Sequence, residues 1–174
     1  MRRLSINLLI ILVALALSGF LSFTGTAWAA GSVVVSQQVV SNFSKQVIFT
    51  CTGDASTGAI TNTDSGKYDL SGWYLYRVIA YPTSGGTAPD AADVFILDAN
   101  SLDLLGCEDG STTAYQGLNL IHATLARSAI PDLYIPRAGL HQPYYPLITG
   151  PLTLKVANQG KASANYTVVL ELVK

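Results

Sequence analysis

Residues 72–82 read GWYLYRVIAYP, a run of aromatic and β-branched residues between a Gly and a Pro. That composition and those bounds predict a β-strand. A period of two places Trp73, Leu75, Arg77, Ile79 and Tyr81 on one face, and Tyr74, Tyr76, Val78 and Ala80 on the other. Arg77 is the only charge, so the strand is apolar on both faces. It is expected inside a sheet that packs against a second layer.

Shorter strand patterns surround it. Residues 32–40 (SVVVSQQVV) and 45–51 (KQVIFTC) read as a hairpin or as neighbouring strands. A polar loop over 52–71 holds at most one weak strand near 59–62. After the turn-rich stretch 82–92, DVFILDA (93–99) places Val94 and Ile96 on one face and Phe95 and Leu97 on the other. A short return strand is expected over 102–105, and a further strand over 118–126. The stretch 130–146, with Pro131, Pro136, Pro143 and Pro146, reads as an extended aromatic loop. LTLKVAN (152–158) and ANYTVVLELV (164–173) read as a closing hairpin about Gln159-Gly160. In its last strand Tyr166, Val168, Leu170 and Leu172 alternate against Thr167, Val169, Glu171 and Val173. Past the N-terminal segment there is no helical period and no internal repeat. The fold class is all-β, an antiparallel β-sandwich or jelly roll of about eight strands.

The first 29 residues follow a different logic. Arg2 and Arg3 precede an apolar run from about residue 4 to 23, and Ala27 and Ala29 stand at signal-peptidase spacing. Residues 1–29 are read as a signal peptide cleaved after Ala29 or Ala30, with an uncleaved anchor as the alternative. Residues 30–174 then form one β-sandwich domain. The protein is expected to be exported: periplasmic, at the cell surface or extracellular. Removing Arg2 and Arg3 from the ten Lys and Arg leaves eight against eleven Asp and Glu, a net charge of −3. No basic stripe exists, which argues against nucleic acid, and no membrane association is expected after cleavage.

In an exported chain, Cys51 and Cys107 are the disulfide candidate; separately buried thiols are the alternative. A bridge would close a loop of about 56 residues and stabilise by roughly 3–4 kcal/mol in the chain-entropy model. No catalytic residues are assigned. His122 and His141 are the only histidines, and neither G-x-S-x-G nor H-E-x-x-H occurs. Asp98 to Asp103 offer oxygen ligands at a spacing that calcium could use. They lack the loop glycine and the terminal Glu, however, so the turn-forming role of Asp and Asn is the simpler reading. No metal or other cofactor is expected. Tyr134, Tyr144 and Tyr145 are the aromatics placed to contact a ligand, a glycan above all. Tyr74 and Tyr76, or Trp73 and Tyr81, could form a second stacking platform. Asn42-Phe43-Ser44 and Asn165-Tyr166-Thr167 match the N-glycosylation sequon.

The order of GWYLYRVIAYP, TAPDAAD (87–93), DANSLDLLG (98–106) and GPLTL (150–154) resembles small β-rich proteins encoded among the structural genes of tailed phages and prophages. The likeness spans residues 72–172. It implies a virion or particle component without catalytic residues. Two features depart from that pattern: the signal-like N-terminus, and Asn100-Ser101 where Asn-Gly or Asp-Gly is usual. The expected function is that of an exported, non-enzymatic structural or interaction protein. It would act by assembly with itself or another protein, with residues 32–40 and 164–173 as candidates for edge pairing. A carbohydrate- or surface-ligand-binding module is the alternative.

Overall fold

The structure is a computed structural model and describes residues 30–90, 92–105, 118–121, 127–135 and 140–174; of 118–121, 132–135 and 140–142 it describes the backbone. Among these residues there are eleven strands and no helix. They are β1 (Ser32–Ser41), β2 (Ser44–Thr52), β3 (Thr63–Asp64), β4 (Tyr74–Pro82), β5 (Ala92–Leu97), β6 (Leu118–Ile121), β7 (Arg127–Ala129), β8 (Asp132–Ile135), β9 (Leu140–Pro143), β10 (Thr153–Ala157) and β11 (Asn165–Val173).

One sheet has the order β1-β2-β11-β4-β7, the other β3-β10-β5-β6, and β8 pairs with β9 in a separate ribbon. Every strand-to-strand pairing among the described residues is antiparallel. The partners are nested: β2 lies beside β11, β3 beside β10, β4 beside β7 and β5 beside β6. This is the eight-stranded jelly roll. Two additions decorate it, β1 on the far side of β2 and the β8–β9 ribbon between β7 and β10.

Period-two alternation builds the core. Val47, Phe49 and Cys51 of β2, with Tyr166, Val168, Leu170 and Leu172 of β11, are fully buried; so are Val94 and Ile96 of β5 and Leu154 of β10. Each large apolar side chain so buried contributes about 1.5–3 kcal/mol. The alternation expected for β5 and β11 is the one observed. β11 is the middle strand of its sheet, and even its outer residues Thr167 and Val169 are buried.

Several sequence expectations are corrected. β4 does lie inside a sheet, between β11 and β7. Its faces, however, do not follow an unbroken period of two. Leu75 pairs with Leu172 and Arg77 with Glu171, so Tyr76 is an extra residue, a β-bulge. The bulge shifts the phase: Leu75, Val78 and Ala80 enter the core, while Tyr74, Tyr76 and Tyr81 are exposed on the other side. The full cover expected on both faces is therefore not seen at these three tyrosines. β10 and β11 are not a hairpin, because they belong to opposite sheets. β11 is correspondingly a central strand and not a candidate for edge pairing.

Smaller corrections follow the same lines. Residues 102–105 make a single bridge, Leu97 to Asp103, in place of a strand. The weak strand near 59–62 falls instead at Thr63–Asp64. The proline-rich stretch contains the β8–β9 ribbon, with Pro131 just before it and Pro143 at its last position, where a missing N–H is tolerated.

The crossing connections are tied at one end by Gln159, which is buried. Its Nε2 donates to the Gly58 (3.2 Å) and Lys161 (2.8 Å) carbonyls, and its Oε1 accepts from the Asp90 (3.3 Å) and Lys161 (3.1 Å) amides. The entry to β1 is equally constrained. A Cβ at Gly31 would stand 2.0 Å from the Ala59 carbonyl oxygen, so the backbone approach there requires glycine.

Candidate interaction surface

An edge strand presents unpaired backbone N–H and C=O groups, and proteins usually blunt such edges with charge, proline or short length. β7 and β3, at two of the edges, are three and two residues long. β1 is different. It runs for ten residues, SVVVSQQVVS, with no charge, proline or glycine, and among the described residues it pairs only with β2. Its register with β2 is unbroken from Ser32 to Val39 and shifts only before Ser41. Val33 and Val35 pack against the core, and the Tyr68 hydroxyl approaches the Val35 carbonyl at 3.5 Å. Val34, Val39 and Val40 are 65%, 68% and 57% exposed, and Phe43 at the following turn is 71% exposed. The result is a long, neutral, valine-rich edge with an apolar tip.

Near that tip Lys45 is buried, although it is a lysine. Its Nζ donates to the Asp69 carbonyl at 2.7 Å and lies 4.3 Å from the Trp73 ring centroid. Burial lowers its pKa, against the opposing pull of the Asp69 carboxylate. Trp73 thus packs on the core under a cation and is not part of a platform with Tyr81.

The outer face of the five-stranded sheet carries the second feature. Cross-strand register aligns Gln46, Glu171 and Arg77 in one row, and Ile48, Val169 and Ile79 in the next. Glu171 accepts from Arg77 Nε at 2.8 Å and from Gln46 Nε2 at 3.1 Å. Beside this polar row the bulge projects Tyr76, and Tyr145 stacks on it at 5.5 Å between centroids and 24° between planes. The segment after β9 brings Tyr145 there. It runs antiparallel to the start of β4, with Leu75 N–H donating to Pro146 and Ile148 N–H to Trp73. Tyr144 is exposed and its amide donates to the Pro131 carbonyl. The Tyr134 side chain lies outside the description. The Tyr76–Tyr145 pairing was missed from sequence because it depends on the bulge, for which no residue signal stands out.

The remaining candidates sort simply. Cys51 is a free, fully buried thiol and not half of the expected bridge; it donates weakly to the Phe49 carbonyl, and burial pushes its pKa up to about 12. Cys107 and His122 lie outside the described residues, as does the His141 side chain. Asp98 Oδ1 accepts from the Asn100 and Leu102 amides, each at 2.8 Å, and Asp103 Oδ1 from those of Ile96 and Leu105. These carboxylates therefore shape the turn, and no group of three metal-donor side chains forms among the described residues. Asn42 is exposed at the β1–β2 turn, whereas Asn165 is held by Thr52 Oγ1 and the Ser163 carbonyl. No family model matches the chain, and comparison with curated proteins and with solved structures gives no match either.

Proposed function

We propose that this is an exported, non-enzymatic structural or interaction protein that works by assembly or surface contact through the β1 edge. The observation that carries the reading is the ten-residue, uncharged edge with its exposed valines. Jelly rolls serve in capsids and in lectins alike, so the fold does not choose between functions. The edge supports assembly, because an unprotected ladder is costly to keep unless something pairs with it. The resemblance of the motif order to phage structural proteins is consistent with this reading, as is the signal-like N-terminus with export.

Two measurements test the proposal. N-terminal sequencing of protein secreted by an exporting host should begin at Ala30 or Gly31. Light scattering of that protein across a concentration series should show a discrete oligomer or a growing polymer. A strict monomer that also captures no protein partner would refute it.

The Tyr76–Tyr145 stack beside the Arg77–Glu171–Gln46 row favours a second reading, a glycan-binding face. Stacked rings bordered by hydrogen-bonding planar groups suit a sugar's apolar face and its hydroxyls. Soluble glycans titrated against native protein and Tyr145→Ala, followed by calorimetry, test it. Binding that the variant leaves unchanged would exclude this face.

A further inference from the structure

We infer that the partner of β1 is β1 of a second copy, aligned antiparallel about a two-fold axis through Gln37. This rests on the assembly reading and names its partner and register.

The geometry restricts the choice. Two antiparallel edge strands in one continuous sheet are related by a two-fold axis perpendicular to it, and the outer faces of both copies then coincide. Residues that oppose each other must share a face, so the two residue numbers of every pair sum to the same even value. Regular alternation in β1 runs from Ser32 to Val39, before the register shift at Val40. Within it the sum 74 opposes Val35 to Val39 and Ser36 to Gln38, with Gln37 meeting itself, and brings Val34 alongside the Val40 end of the other copy. Val39, the most exposed valine of the strand, then faces a valine. Moving the axis to Ser36 keeps one valine pair, Val33 with Val39, but sets Val34 against Gln38 and Val35 against Gln37. Moving it to Gln38 sets Val39 against Gln37. Of these registers the Gln37-centred one opposes apolar to apolar and polar to polar throughout the regular strand.

Charge is compatible as well. No charged residue occurs in Ser32–Ser41, so two copies meet without like-charge repulsion. A charged partner finds no electrostatic complement on so neutral a strand, whereas a second copy gains the valine contacts together with the ladder. The contact joins two five-stranded sheets edge to edge, with the core of each roll intact.

The test uses the full chain, exported and purified in its native form. Gln37→Cys should give a disulfide-linked dimer on mild oxidation, with the 37–37 peptide identified by mass spectrometry. Ser32→Cys should not self-link, since its two copies would lie about ten residues apart along the paired strands, roughly 34 Å. Val34→Lys changes an already exposed side chain. It should weaken dimerisation on the order of tenfold or more, with the thermal melt of the monomer unchanged. An oligomer that does not cross-link at 37, or that Val34→Lys leaves intact, overturns this register and leaves assembly standing. A monomer at every concentration overturns both.

Discussion

The Gln159 side-chain oxygen accepts the Asp90 amide, and the Asp90 carboxylate in turn accepts the Gly160 amide at 3.0 Å. This reciprocal contact joins the β4–β5 and β10–β11 connections, both of which cross from one sheet to the other. Gln159 Nε2 adds the loop after β2 through the Gly58 carbonyl. A turn that looks like a hairpin in sequence is thus held as a crossing.

Gln159→Ala should therefore destabilise by about 2–3 kcal/mol, because buried carbonyls and amides lose their partners together. Asp90→Asn, which keeps an acceptor oxygen at an exposed site, should cost less than about 1 kcal/mol. Urea denaturation of both variants checks the difference. Equal losses would show that Gln159 is not the clamp.

Ser101 adopts φ of 65° in the Asp98 turn, a region that strains a side chain bearing a Cβ. Ser101→Gly is expected to stabilise by roughly 0.5–1 kcal/mol, net of the added freedom of the unfolded chain. Differential scanning calorimetry should show a rise of a few degrees. A fall would mean that the Ser101 side chain makes a favourable contact.

Alkaline pH should weaken the reduced protein. Burial pushes the Cys51 thiol up to about 12, and also raises the pKa of Tyr166, its cross-strand neighbour. Unfolded cysteine ionises near pH 8.5–9, so above that the unfolded state binds fewer protons than the native one. The stabilisation is complete below about pH 9 and is lost as pH rises towards 12. By pH 10.5 the Cys51 share of the loss is about 2 kcal/mol. Cys51→Val should flatten the stability profile between pH 8 and about 10.5; an unchanged profile would assign the loss elsewhere.

The Tyr76–Tyr145 stack predicts energetic coupling. Tyr76→Ala and Tyr145→Ala together should destabilise by about 0.5–1.5 kcal/mol less than the sum of the two single changes. A double-mutant cycle by chemical denaturation measures it. Additive effects would place the two rings in contact without interaction.

Local pattern alone determined the longer strands β1, β2, β4, β5, β10 and β11, the all-β class and much of the core. The alternation in residues 164–173 named Tyr166, Val168, Leu170 and Leu172, and each proved fully buried. That success has a simple cause: a strand has period two, and burial selects apolar residues on one side. Tertiary structure decided the rest. Whether β10 and β11 pair or part depends on nested long-range partners and on the Gln159 contacts, which no local turn signal encodes. The phase of β4 depends on one extra residue opposite β11, visible only when the two strands are paired. The same pairing put β11 at the centre of its sheet and β1 at its edge among the described residues, because strand order is settled by which apolar faces can be buried together and not by nearness to a chain end.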